Sequence, residues 1–295
     1  MNNPNPTIGF IGAGVFGKGL ALALATGGHQ VAAVHSRSPS SAESLARLIP
    51  GCRVLSTAQG LAGAVDLVFI TTPDTVIGQV AGQIDWRGGQ GAAHCCGAAS
   101  TQLLQPALDQ GAVTGAFHPF QTFAGVTGPE DAAARLAGVT FAVTGNGWLE
   151  EYLWDLAKNL GGTPVSIPDD QRALYHSAAV LGCGHLAALL AQVTGVWQAM
   201  GFTEEQALSS LYPLCRATID AVAKDGAEAA STGPVVRGDL VTIRSHMEAL
   251  FQALPQAVPV YGALAAATLP IAAQRGLGPG PLAAMQELID HYTGA

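Results

Sequence analysis

Gly12, Gly14 and Gly17 stand at the spacing Gly-x-Gly-x-x-Gly, with Ala13, Val15 and Phe16 between them. The apolar run Thr7-Ile8-Gly9-Phe10-Ile11 precedes them, and a helix-forming run through Leu20 to Leu24 follows. Each glycine has a separate physical task if this turn holds a dinucleotide. Gly12 allows the tight strand-to-helix turn, Gly14 lets a diphosphate approach the backbone, and Gly17 lets helix and strand pack closely. The unpaired N–H groups and the positive dipole end of the helix then face the phosphates. A glycine-rich turn can also exist with no ligand. A strand before it and a helix after it favour nucleotide binding.

The second group of chemical residues follows the next strand-like run, Gln30 to His35. A site selective for NAD places an Asp or Glu there to accept from the ribose 2′-hydroxyl. Here the run ends in His35-Ser36-Arg37-Ser38, and the first acidic residue of the chain is Glu43. Arg37 can pair with a 2′-phosphate while Ser36 and Ser38 donate to its oxygens. The expected cofactor is therefore NADP, although Arg37 could equally be a solvated loop residue. Thr71-Thr72-Pro73, ending the apolar run from Asp66, would lie over the ribose or nicotinamide, with Asp74 as a helix N-cap. Capping alone would also account for that composition. Gly91 to Cys96 reads as a further strand whose end, with Cys95, lines the nicotinamide pocket. His94, Cys95 and Cys96 have metal-binding side chains, but neighbours on a strand point to opposite faces and do not converge, so no metal is expected.

Three residues are candidates for the chemistry itself. His118, after the run Val113 to Phe117, could donate to a substrate carbonyl or act as an acid; it could instead stack in the turn fixed by Pro119. His176, beside Ser177, lies on a long helix, facing either a cofactor cleft or a buried polar partner. Arg237, in Gly233-Pro234-Val235-Val236-Arg237-Gly238-Asp239, is one of few cations able to fork a substrate carboxylate. Asp239 could pair with it or cap the next helix, which carries His246.

The elements that must position these groups fall into two halves. Strand and helix patterns alternate to Pro168, which predicts a doubly wound, mostly parallel α/β domain over 1–168 with an edge strand at Thr163 to Ile167. The segment 169–295 reads as all helix. A long helix from Asp170 to Met200 and a capping box at Thr203 to Gln206 open it. The stretch between Arg172 and Glu204 has no Asp, Glu, Lys or Arg. It is long enough to span a bilayer, yet it contains His176, His185, Gln192 and Gln198 and lacks a basic flank. It reads as a buried central helix rather than a membrane span. With 49% hydrophobic and 12% charged residues, some apolar surface is expected to be covered between subunits. A net charge of −8 argues against nucleic acid or an anionic membrane as partner. Met1 to Pro6 has neither the basic region nor the apolar core of a signal peptide, and the five cysteines form no regular framework. A reducing cytoplasm is the simplest location.

Taken together, the chain resembles the 6-phosphogluconate dehydrogenase and pyrroline-5-carboxylate reductase superfamily. Within it the chain is similar to Rossmann-like NADP oxidoreductases whose helical domain is 6-phosphogluconate dehydrogenase C-terminal-like. His94-Cys95-Cys96-Gly97-Ala98, His118-Pro119-Phe120, Tyr175-His176 and Gly233 to Asp239 carry the closer match. The resemblance implies hydride transfer between NADPH and a small carbonyl or imine substrate in a cleft between domains, and a homodimer joined through the helical domain. Hydroxyacid dehydrogenases of the superfamily use a lysine on the long helix, and this chain has none between Lys158 and Lys224. Nor is the Ser/Thr-rich substrate loop of the pyrroline-5-carboxylate reductases matched. Two readings follow: a reductase of a small, anionic substrate, or a non-catalytic NADP-binding sensor or dimeric scaffold.

Overall fold

The computed structural model describes residues 5–294. Most of the segment read for a signal peptide lies outside them. The unbroken apolar runs form strands covered on both faces, as their composition requires. These are β1 (Ile8–Ile11), β2 (Val31–His35), β3 (Arg53–Val54), β4 (Leu67–Ile70), β5 (Gly91–His94), β6 (Val113–Pro119), β7 (Thr140–Gly145) and β8 (Thr163–Ser166). They make one sheet in the order β3-β2-β1-β4-β5-β6-β7-β8. All neighbours are parallel except β6 and β7. The expected mostly parallel α/β sheet is present.

Helices α1 (Val15–Thr26), α2 (Pro39–Leu48), α3 (Ala58–Ala64), α4 (Ile77–Gly82), α5 (Gln105–Leu108), α6 (Pro129–Ala134) and α7 (Gly147–Asn159) alternate with the strands. One face of the sheet packs Phe10, Phe69, Phe117 and Phe141 with residues of α1 and α7. Consecutive ring centroids in that row lie 5.4, 6.2 and 4.6 Å apart. Each of these fully buried rings contributes about 1.5–3 kcal/mol. The other face packs Ile11, Val68, Ile70 and Ala92 with α3, α4 and α5. One register row, Ile11–Ile70–His94–Ala116–Thr144, crosses five strands. It places His94 and Thr144 on the face that otherwise carries Ile11, Val68, Ile70 and Ala92.

The helical segment comprises α8 (Arg172–Val180), α9 (Leu186–Ala199), α10 (Glu204–Ala230), α11 (Pro234–Arg237), α12 (Leu240–Ala253), α13 (Val258–Gln274) and α14 (Pro279–Thr293). The chain divides into two compact units between Cys183 and Gly184. This lies further along the helical run than the boundary expected from strand periodicity at Pro168. The second unit has its own core around Val235, Ile243, Met247, Val258 and Met285. The capping box is present: Thr203 Oγ1 accepts from the Gln206 N–H at 3.2 Å, and Gln206 Oε1 accepts from the Thr203 N–H at 2.8 Å.

Three expectations are corrected. The helix expected from Asp170 to Met200 is not one regular helix: a 3₁₀ turn opens it, and a π turn at Leu181–His185 separates α8 from α9. Nor is it a buried central helix, because only 6% of its most apolar window is buried. Apolar composition predicts that a helix will be covered but does not supply the layer that covers it. In addition, Asp74 lies in the first 3₁₀ turn after Pro73 rather than at an N-cap.

Candidate functional site

The glycine-rich turn has the geometry its sequence requires. Gly12 has φ +113°, and a Cβ there would lie 2.6 Å from the Thr71 carbonyl oxygen. A Cβ on Gly17 would lie 2.7 Å from Thr71 Oγ1, which donates to the Gly12 carbonyl at 2.9 Å. Gly14 has no atom within 4 Å of a would-be Cβ, so this side of the α1 N-terminus is open. A pocket of about 640 Å³ at the carboxyl edge of β1, β2 and β4 brings together Gly12–Gly14, Ser36–Ser38 and Thr71–Pro73. The Thr72 hydroxyl is buried with no protein partner, as expected of a donor aimed at a bound polar group. Arg37 is exposed. Ser38 also caps α2, accepting from the Ser41 N–H at 3.4 Å. Val15, Phe16, Gly17 and Cys95 do not line this pocket. Phe16 packs edge-on against Phe123 instead, with centroids 5.1 Å apart.

A second cluster forms where β5 and β6 end. His118 Nδ1 shares a hydrogen bond with the Tyr175 hydroxyl at 2.9 Å, and the His118 and His176 rings stand edge to face at 5.9 Å. The fold thus brings His118 of β6 against Tyr175 and His176, both carried by α8. Gly97 makes the approach possible: a Cβ there would lie 2.6 Å from His176 Cδ2 and 2.8 Å from His118 Nε2. Ser177 faces away from this chemistry, donating to the Leu174 carbonyl at 2.7 Å.

Below these rings lies a knot that the sequence did not reveal. Arg172 is fully buried. It donates to the Ala99 carbonyl at 2.8 Å, to Thr144 Oγ1 at 2.8 Å and to the Cys96 carbonyl at 3.3 Å. Asp169 accepts from the hydroxyls of Ser100 and Thr101 at 2.8 and 2.6 Å. Together they tie the first turn of α8 to the loop after β5. The one available signal was position, since both residues stand just ahead of the charge-free stretch.

Burial governs the titration of this region. It pushes His118 down to about 4, with the neighbouring His176 and Arg172 adding to the effect. His94 is likewise pushed down to about 4 by burial and Arg172, against the opposing pull of the Ser100 carbonyl, Asp169 and Asp74. His94 Nδ1 accepts from the Cys96 N–H at 3.2 Å, so its proton sits on Nε2, which lacks a partner in hydrogen-bond geometry. Burial raises both thiols, and at Cys96 a hydrogen bond to Asp74 raises it further. Neither is set up as a thiolate nucleophile. Burial also raises Tyr175 to about 12.

A pH prediction follows. The unfolded chain binds protons on these histidines near pH 6.5, while the folded chain resists until about 4. Their contribution to stability is therefore complete above about pH 6.5 and is lost progressively as pH falls toward 4. Melting temperature measured across that window should fall, and the fall should be shallower in His118→Gln. An equal slope in the variant would remove His118 from the account.

Arg237 ends α11 in the helical unit, exposed, its N–H donating to the Gly233 carbonyl at 3.3 Å and its guanidinium making no hydrogen bond to a described residue. Asp239 caps α12 by accepting from the Thr242 N–H at 3.1 Å. That unit also has a cavity of about 540 Å³ walled by apolar faces of α9, α12 and α13. His246 and Tyr261, hydrogen-bonded at 2.9 Å, stand in its lining. No charged carboxylate, lysine or arginine lines it, so it does not suit a phosphorylated cofactor. Among the described residues, no three His, Cys, Asp or Glu side chains converge as metal ligands.

Residues 1–119 match a family described as a Rossmann-like domain, and residues 139–268 match a domain of unknown function, DUF2520. Solved structures share the fold along most of the chain. A protein from Thermotoga maritima is 22% identical, covering 91% of this chain and 99% of its own, with a TM-score of 0.72. A reductive aminase from Aspergillus terreus, solved with NADPH and ethyl levulinate, is 18% identical over 97% of this chain and 99% of its own, with a TM-score of 0.67. A 1-pyrroline-5-carboxylate reductase from Streptococcus pyogenes is 16% identical over 99% and 100%, with a TM-score of 0.60. No curated protein sequence matches the chain.

Proposed function

For a chain that joins a Rossmann-like domain to a DUF2520 domain, we propose an NADP-dependent oxidoreductase acting on a small, anionic carbonyl or imine substrate. The observation that carries this reading is the pocket in which the open glycine turn meets Ser36, Arg37 and Ser38 with no carboxylate at the end of β2. The residues present fit the cofactor: an open Gly14, an unpartnered Thr72 hydroxyl and a free guanidinium. The named reductases of the same fold add support. NADPH, when bound, supplies the hydride.

The chain's own residues prepare the acceptor. His118 is neutral at pH 7, so it polarises a C=O or C=N bond as a hydrogen-bond donor rather than as an imidazolium. Its bond to Tyr175 fixes the ring, and His176 beside it offers a second proton carrier. Arg237 is assigned to the substrate's anionic group. The helical unit exposes Tyr212, Leu214, Val241 and Phe251, which suits pairing of two copies through that unit. All five cysteines are free, in keeping with a reducing cytoplasm.

A paired titration with NADPH and NADH, following nicotinamide fluorescence, tests the reading. NADPH should bind at least about tenfold more tightly, the value of one charge-assisted phosphate contact, and Arg37→Ala should erase the preference. Failure to bind either nucleotide would sink it.

A further inference from the structure

The pocket that holds Ser36–Ser38 extends further than phosphates require. It continues past Ala58 at the start of α3 to α4, where Val76 and Val80 form an apolar wall. The amides of Gln79 and Gln83 stand on the same helix face, one turn apart, and line the pocket too. Neither bonds to any other described residue. Gln59, Gln90 and Gln110 are engaged instead: Gln59 and Gln110 accept from the Asp85 and Trp86 N–H groups, and Gln90 donates to the Ala62 and Val65 carbonyls. Two free amides beside an apolar wall, inside a cavity, are a different arrangement.

Resting on the NADP reading above, the parts of the ligand can be assigned in order. The diphosphate belongs to the N-terminus of α1 and the 2′-phosphate to Ser36–Ser38. The ribose that carries the 2′-phosphate also carries the purine, so the purine is the part within reach of this end of the pocket. Its flat face suits Val76 and Val80, which offer dispersion contact without directional preference. Its edge needs polar partners. An amide presents an acceptor and a donor side by side, the complement of adenine's N6 amino group and adjacent ring nitrogen.

We propose that Gln79 and Gln83 read the edge of the cofactor's purine and make the site selective for adenine through its exocyclic amino group. These residues have no part in hydride transfer; they set cofactor affinity and base identity.

The test is calorimetric titration of the full chain with NADP⁺ and with its 1,N6-etheno derivative, in which a bridging ring removes the N6 donor and covers N1. The wild-type protein should prefer NADP⁺ by about tenfold or more, the discrimination of one good bidentate amide–adenine pair. Gln79→Leu/Gln83→Leu, at two exposed positions, should weaken NADP⁺ by about tenfold and bring the two ligands within about twofold of each other. A double variant that keeps both affinity and preference would overturn the proposal, as would wild-type protein that binds both ligands equally; NADP binding itself would stand in either case. Wild-type protein that binds neither ligand would bring down the functional reading and this proposal together.

Discussion

Replacing Arg172 by methionine is expected to lower stability by about 3–5 kcal/mol, the cost of breaking a buried, charge-assisted network. Methionine fills much of the same volume but donates nothing. The Ala99 and Cys96 carbonyls and Thr144 Oγ1 would each lose a donor. Thr144 would still donate to the Ile167 carbonyl at 2.6 Å, so β7 itself should hold. Asp169 would lose the cation that favours its ionised form, although its bonds to Ser100 and Thr101 would remain. Urea unfolding at pH 7 measures the loss. Arg37→Met, at an exposed arginine, serves as the comparison and should change stability by less than about 0.5 kcal/mol. A loss below about 1 kcal/mol for Arg172 would mean that water or a neighbour satisfies those acceptors.

Gly97→Ala is expected to lower turnover about a hundredfold while cofactor affinity changes little, because small displacements of reacting groups carry costs of that order. The added methyl would fall between two rings, 2.6 Å from one and 2.8 Å from the other. Real side-chain carbons do not approach that closely, so His118 or His176 must move. His118 is held by Tyr175 and by the strand beneath it; His176 rides on α8. Either movement separates the pair proposed to act on the acceptor bond. NADPH titration separates this outcome from loss of the cofactor site, whose Gly12 to Gly14 turn lies between β1 and α1. Unchanged turnover would show that the His118–His176 spacing has no part in the reaction.

The sheet and its glycine turn were legible because their signals are local. Asp66 to Ile70 can be covered on both faces in few ways, and Gly12 sits where any Cβ would meet the Thr71 carbonyl. Ser36, Arg37 and Ser38 draw attention through the carboxylate missing there, and the structure sets them in the pocket of the glycine turn. Arg172 was not legible, because sequence shows a charge without the three acceptors that bury it. The bond between Tyr175 and His118 joins residues of two distant segments that no periodicity connects. The π turn at Leu181–His185 was hidden because the stretch has no charged residue to mark a polar face, so a shift of helical phase leaves no trace in it. Gln79 and Gln83 carry no signal in the sequence, because only the cavity beside them sets them apart from solvated helix positions.

The two ends of the sheet have a consequence for how the protein behaves when concentrated or heated. An exposed strand edge is a template on which another chain can add a strand. Here β3 is only two residues long and carries Arg53, while β8 carries Pro164, which has no N–H to offer. Neither border presents a ladder long enough to recruit a foreign strand. Addition of a foreign strand is therefore disfavoured at both borders, and the sheet itself stays closed to growth.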